Sequence, residues 1–246
     1  MAGHSKWANI QHRKKRQDDK RGKLFSKLIR EVMVAAKIGG PDPADNSRLR
    51  LALDKAMSAN MPKDTVERAI KRGCGDADSA TYEEIRYEGY GPGGVAVLID
   101  CLSDNRNRTV SEVRHTLGKH GGSLGNSGSV TYLFSAVGVL SYAPGTDADG
   151  LMDQAVEAGA DDLVVLDDDS VEVLTQPQDF VTVRQSLTES GRAPDHAEVT
   201  MRAQTLVELE GEEAQKLMRL VDGLEELDDV QSVYTNASIP DSAYAT

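Results

Sequence analysis

The period of the apolar residues changes once along this 246-residue chain, near residue 80, and that change limits the folds open to it. Over residues 20–37 the apolar positions Leu24, Phe25, Leu28, Ile29, Val32, Ala35 and Ala36 fall on one helical face. Gly39-Gly40-Pro41 ends that helix, with glycine at a left-handed cap and proline just after it. Asn46 or Ser47 can cap a second helix carrying Leu49, Leu53, Ala56 and Met57. Asn60-Met61-Pro62 breaks it, and a third helix runs through Val66, Ala69 and Ile70 to Gly73. The short turn before the third helix admits a helix-turn-helix reading, although short turns join most neighbouring helices.

Beyond the small, polar stretch 74–81 the pattern becomes that of strands and helices mixed. Segments 82–89 and 95–102 read as strands joined by Gly89-Tyr-Gly-Pro-Gly-Gly94, a hairpin turn without the Gly-Lys-Ser/Thr of a nucleotide-hydrolysing loop. Thr109 with Glu112 has the spacing of a capping box before a helix that Gly121-Gly122 closes. Segment 130–134 reads as a strand, and the glycine-rich stretch 121–128 as a mobile loop. From 137 to 201 the order is strand, helix, strand, strand, helix, strand, the ferredoxin-like sequence of elements. A helix over 214–227 and a strand over 230–234 supply what the 82–135 unit lacks. The expectation is an α+β protein with a three-helix domain at 1–75. A discontinuous α+β domain covers 82–135 and 204–240, and a ferredoxin-like α+β domain at 136–203 is inserted in it.

Charge is partitioned as sharply as period. Residues 1–75 carry 18 Lys and Arg against 8 Asp and Glu, a net of +10, whereas residues 76–246 carry 10 against 32, a net of −22. That asymmetry points to a polyanion-binding module on an acidic body. Lys6, Arg13, Lys14, Lys15, Arg16, Lys20, Arg21, Lys23, Lys27 and Arg30 crowd the first 30 residues, opposed there by Asp18 and Asp19 alone. Dense cations neutralise phosphates and release counterions. Trp7, with His12 nearby, is placed to stack on a base or to anchor a small core. Arg48, Arg50, Lys55, Lys63, Arg68, Lys71 and Arg72 either extend the surface or pair with acids such as Asp64 and Glu67. The string Asp104-Asn-Arg-Asn-Arg-Thr109 leaves a strand and opens a helix. Arg106 and Arg108 can meet phosphate there, or pair locally with Asp104.

Other chemistries have little to stand on. Cys74 and Cys101 form no Cys-x-x-Cys pair, the five histidines have no metal-ligand spacing, and no nucleophile motif is present. The acid runs around 161 and 167 read as solvated turns. No apolar run reaches membrane-spanning length and the first residues do not have the form of a secretory signal, so a reducing cytoplasm is expected. The expectation is a non-enzyme without metal or cofactor.

Four strings carry a resemblance: Met1-Ala-Gly-His-Ser-Lys-Trp7 with His12-Arg-Lys14, Glu88-Gly-Tyr-Gly-Pro-Gly-Gly94, Cys101-Leu-Ser-Asp-Asn-Arg-Asn-Arg-Thr109, and Lys216-Leu-Met-Arg-Leu220. They strongly resemble motifs of the YebC/PmpR family. The resemblance implies a helical first domain, two ferredoxin-like α+β domains and no cofactor. It also implies cytoplasmic transcriptional regulators that bind promoter DNA, with relatives, among them a mitochondrial translational activator, that assist ribosomes on difficult stretches. The combined expectation is a nucleic-acid-binding regulator of gene expression, acting on promoter DNA. A ribosome- or RNA-associated translation factor that relieves stalling, with ribosomal RNA as partner, is the alternative. The expected contacts are Lys6, Trp7, His12, Arg13, Lys14, Lys15, Arg16, Lys20, Arg21, Lys23, Arg106 and Arg108. No membrane partner is expected, and the sequence does not declare an oligomeric state.

Overall fold

A computed structural model describes residues 21–75 and 82–240. Three helices come first: α1 (Arg21–Gly39), α2 (Ser47–Ser58) and α3 (Lys63–Gly75). Their apolar stripes close on one another, with Val32, Ala35 and Ala36 of α1 against Leu49 and Ala52 of α2 and Ala69 of α3. Small residues let α1 and α3 approach closely, and a Cβ at Gly73 would collide with the Met33 carbonyl. Asn46 sets the corner between α1 and α2. Its side-chain oxygen accepts from the Leu49 N–H at 2.9 Å, and its amide donates to the carbonyls of Ala35 (2.8 Å) and Gly40 (2.9 Å). One buried side chain thus satisfies groups at the end of one helix and the start of the next.

Strands β1 (Glu83–Tyr90) and β2 (Ala96–Ser103) form an antiparallel hairpin around a 3-10 turn at Pro92–Gly94. Helix α4 (Arg106–Lys119) follows, and β3 (Ser123–Leu124) pairs with β1. The chain then builds a second sheet from β4 (Phe134–Tyr142), β5 (Asp162–Val165), β6 (Val171–Thr175) and β7 (His196–Ala203), in the order β5-β6-β4-β7. Helices α5 (Ala148–Ala158) and α6 (Phe180–Glu189) connect these strands, giving the ferredoxin-like βαββαβ unit. After β8 (Val207–Glu208), α7 (Gly211–Glu225) and β9 (Val230–Thr235) return to the first sheet, whose order is β3-β1-β2-β9. β10 (Ala237–Ser238) pairs in parallel with β8.

Each sheet buries one face under two helices. Val97, Ile99, Val113, Leu117, Leu217 and Leu220 fill the first core. Leu140, Val173, Leu151, Phe180, Val183 and Leu187 fill the second. The two sheets meet through Leu98, Phe134, Met201 and Tyr234.

Three local expectations are corrected. Residues 130–134 are not a separate strand: Thr131–Leu133 form a 3-10 turn and β4 begins at Phe134. Thr109 does not cap α4. Asn105 does, its side chain accepting from the Arg108 N–H at 3.1 Å, while Thr109 lies buried in the first turn. The stretch after Gly122 is not a loose loop either. The buried Glu88 carboxylate accepts the N–H groups of Gly128 at 2.6 Å and of Val130 and Thr131 at 2.8 Å each. Burial pushes the Glu88 carboxyl up, but these three backbone donors outweigh it and hold the group below its ordinary range.

Candidate nucleic-acid interface

The cationic face of α1 is already engaged. Lys23 Nζ donates to the Glu226 carbonyl at 3.0 Å and Lys27 Nζ to the Glu225 carbonyl at 2.6 Å. The Arg30 guanidinium donates to the carbonyls of Asp228 at 2.5 Å and Leu102 at 3.2 Å. These residues lie four and three apart, on one face, and apart from the Leu102 carbonyl on β2 their acceptors are at and just beyond the C-terminus of α7. The last carbonyls of a helix lack intrahelical partners and carry the negative end of its dipole, so they attract cations. Burial is the main reason the Lys27 ammonium sits below its ordinary value, with Glu225 opposing the shift.

Asp229, immediately before β9, organises the junction. Its side chain is 3% exposed. One oxygen accepts from Ser103 Oγ at 3.0 Å, Thr109 Oγ1 at 2.7 Å and Arg108 at 2.6 Å, and the other lies 3.4 Å from Arg30. Burial alone would raise this carboxyl, but hydrogen bonds from Thr109, Arg108 and Ser103 prevail and hold it below its ordinary value. The Arg30 guanidinium also lies over the Tyr82 ring, 5.0 Å from its centroid. The cluster joins α1 to β2, to the first turn of α4 and to β9.

The expected contact residues therefore divide. Lys23 docks the helical domain to α7. Arg108 pairs with Asp229 and, at 2.8 Å, with Asp104. Arg106 pairs with Glu83 at 3.0 Å while staying 65% exposed. Arg21 opens α1. Lys6, Trp7, His12, Arg13, Lys14, Lys15, Arg16 and Lys20 lie outside the described residues. On α2, Arg48 is bound by Glu31 at 2.8 Å and by Glu84. On α3, Lys63 pairs with Glu67 at 3.8 Å, and Arg68 donates to the Asp64 carbonyl at 3.0 Å. Lys71 and Arg72 stand exposed at the far end of α3, in no ion pair among the described residues. Asp64 is in the first turn of α3, which is the part of a reading helix that meets base edges.

Ser103, Asp229 and the docking role of Lys27 and Arg30 were not legible in the sequence. Asp228 and Asp229 fall between the helix expected over 214–227 and the strand expected over 230–234, and their partners lie more than a hundred residues away in the chain. Among the described residues no group of three His, Cys, Asp or Glu is arranged to hold a metal. Burial pushes the Cys101 thiol up to about 12, so it is a packing group. No described helix is long and apolar enough to cross a membrane.

Comparison with known proteins agrees with this architecture. The family model for the TACO1/YebC protein N-terminal domain matches residues 5–76, and that for the TACO1/YebC second and third domain matches residues 82–237. A Methylococcus capsulatus protein named "Probable transcriptional regulatory protein" is 62% identical over 245 residues, which is 100% of this chain and 99% of that one. A Halorhodospira halophila protein of the same name is 59% identical over 244 residues, covering 99% of each chain. The crystal structure of a conserved hypothetical protein from Aquifex aeolicus superposes with a TM-score of 0.78 at 46% identity, covering 90% of this chain and 91% of that one. The two matched segments leave only the short linker and the chain ends uncovered, and the chain belongs to the TACO1/YebC family.

Proposed function

We propose that this protein is a non-catalytic regulator of gene expression that works by binding nucleic acid in the cytoplasm, as a transcriptional regulator on DNA. The carrying observation is the charge partition, a net of +10 over residues 1–75 against −22 over the rest. Docking on α7 consumes Lys23, Lys27 and Arg30. Other cations offered to phosphate include Lys6, Arg13, Lys14, Lys15, Arg16, Lys20 and Arg21 of the leading segment, with the exposed Lys71 and Arg72 of α3. The names of the relatives support the transcriptional assignment.

A second reading is favoured by one observation, the Asp64 carboxylate in the first turn of α3, where a duplex-reading helix would present donors to base edges. On that reading the same cations, with Trp7 for stacking, grip RNA on the ribosome. Crosslinking in cells followed by sequencing of the bound nucleic acid separates the two. Promoter fragments support regulation on DNA, ribosomal RNA supports the translational reading, and enrichment of neither overturns both.

A further inference from the structure

We infer that the exposed face of α4 and α7 is a second phosphate-contacting surface for the backbone of a bound nucleic acid. Lys119 and Arg219 are its central contacts, with Arg114 at its margin. The inference rests on the nucleic-acid reading and adds to it a place on the acidic part of the chain. Residues 76–246 hold 10 Lys and Arg among 32 Asp and Glu, so acidic partners abound there. Seven of those cations are ion-paired, Arg106, Arg108 and Lys216 of these same helices among them. Among the described residues the three in no ion pair are Arg114, Lys119 and Arg219, all exposed and all on α4 or α7. A solvated face with no partner gives no reason for the unpaired cations of so acidic a body to gather on two adjacent helices. Phosphates supply one, because their neutralisation releases counterions.

The two helices are close enough for these cations to act on one chain of phosphates. Gly223 lets α7 approach α4: a Cβ there would stand 3.2 Å from Thr116 Cγ2 and 3.3 Å from His120 Nε2. Arg219 lies four residues before Gly223, on the same side of α7, and Lys119 adjoins His120. The exposed His115, four residues before Lys119, continues the α4 face. Lys119 ends its helix, where the dipole favours a cation, but Arg114 and Arg219 lie inside theirs and lack that reason. The face also adjoins the place where the leading segment joins the fold. Arg21 opens α1, and two residues on Lys23 is fixed to the Glu226 carbonyl just past the end of α7. From Glu226 back to Arg219 is about 10 Å of helix rise. A strand gripped through Arg13 to Arg16 thus continues along α7 to Arg219 and Lys119, and the two sets of cations hold successive stretches of one backbone.

The test is fluorescence anisotropy of the full chain with a labelled single-stranded RNA and a labelled DNA duplex, across a salt series. The decisive variant combines Lys119→Gln with Arg219→Gln. Its match combines Gln178→Glu with Gln185→Glu, which lowers the net charge equally at exposed positions of the ferredoxin-like domain. In the decisive variant, affinity for the nucleic acid that the protein binds is expected to fall about tenfold. The log–log salt slope should flatten by about 0.7 per lost contact on the single strand, or about 0.9 on the duplex. The match should bind like the unmodified protein, and so should Lys119→Arg with Arg219→Lys, which keeps both charges. If the Gln pair melts below the unmodified protein, Lys119→Gln alone decides, by the loss of one contact from the slope. Undiminished affinity in the decisive variant, where neutralising residues 13–16 does weaken binding, overturns the inference and leaves the nucleic-acid reading standing. An equal loss in the match overturns it too, because overall charge then explains the effect. Displacement of the probe by inorganic phosphate at constant ionic strength, dependent on Lys119 and Arg219, would assign the face to a small anion instead. Binding of neither probe by the unmodified chain removes the reading and the inference together.

Discussion

Truncating Asp229 strands the hydroxyls of Ser103 and Thr109 and the guanidinium of Arg108 in a place built around one carboxylate. Breaking a buried ion pair from one side costs about 3–5 kcal/mol. Asp229→Ala is therefore expected to lower stability by roughly that amount in urea denaturation, with an unchanged slope. The pH dependence has a definite sign. The folded carboxyl titrates below its ordinary value of 3.8, so its contribution is whole above that value and is lost as pH falls through the lower folded one. Stability of the unmodified protein should decline below pH about 4, and the decline should be shallower in Asp229→Ala. An equally steep decline in the variant would show that other carboxylates control acid unfolding.

At the scale of elements, a single glutamate replaces a regular strand. Glu88 sits in the middle of a hairpin strand, yet its carboxylate organises the approach to β4 through three backbone donors. Glu88→Ala should cost about 2–3 kcal/mol and expose the amides of Gly128, Val130 and Thr131. Native-state hydrogen exchange reads this directly, as faster exchange at those three amides with little change in α5 or α6. Helix packing yields a second expectation. Gly73 lets α3 lie against the Met33 carbonyl of α1, so Gly73→Ala must push the helices apart. Overpacking of this kind costs about 1–3 kcal/mol, and a melting temperature equal to that of the unmodified protein would contradict the close approach.

At the scale of the whole molecule, the cations of the helical domain have two employments. Lys27 and Arg30 hold that domain against the negative end of α7, whereas the dense charge of residues 13–16 is the part that the proposal assigns to nucleic acid. Replacing Lys27 and Arg30 by Gln should loosen the docking, read as a larger radius of gyration in solution scattering, with little loss of nucleic-acid affinity. Neutralising residues 13–16 should do the reverse. Affinity should fall, and the salt dependence of binding to duplex DNA should flatten by about 0.9 in log–log slope for each phosphate contact removed. Undiminished affinity at low ionic strength would end the nucleic-acid proposal.

The sequence by itself determined what local periodicity and composition determine. The stripes of Leu28, Val32 and Ala35, of Leu49 and Ala56, and of Leu217, Leu220 and Leu224 specified helices because each needs one apolar face to bury. The alternation of short strands with helices between residues 137 and 201 specified the ferredoxin-like order for the same reason. Tertiary structure alone decided which charges are spent. Lys23, Lys27 and Arg30 look like phosphate ligands in the chain, and become docking groups only because α7 ends beside them. Thr109 looks like a cap, and becomes a donor to Asp229, because Asn105 takes the cap and the return of β9 brings that carboxylate to the first turn of α4. Pairings across a hundred or more residues leave no mark in local sequence. Their energies depend on burial, which only the assembled fold confers.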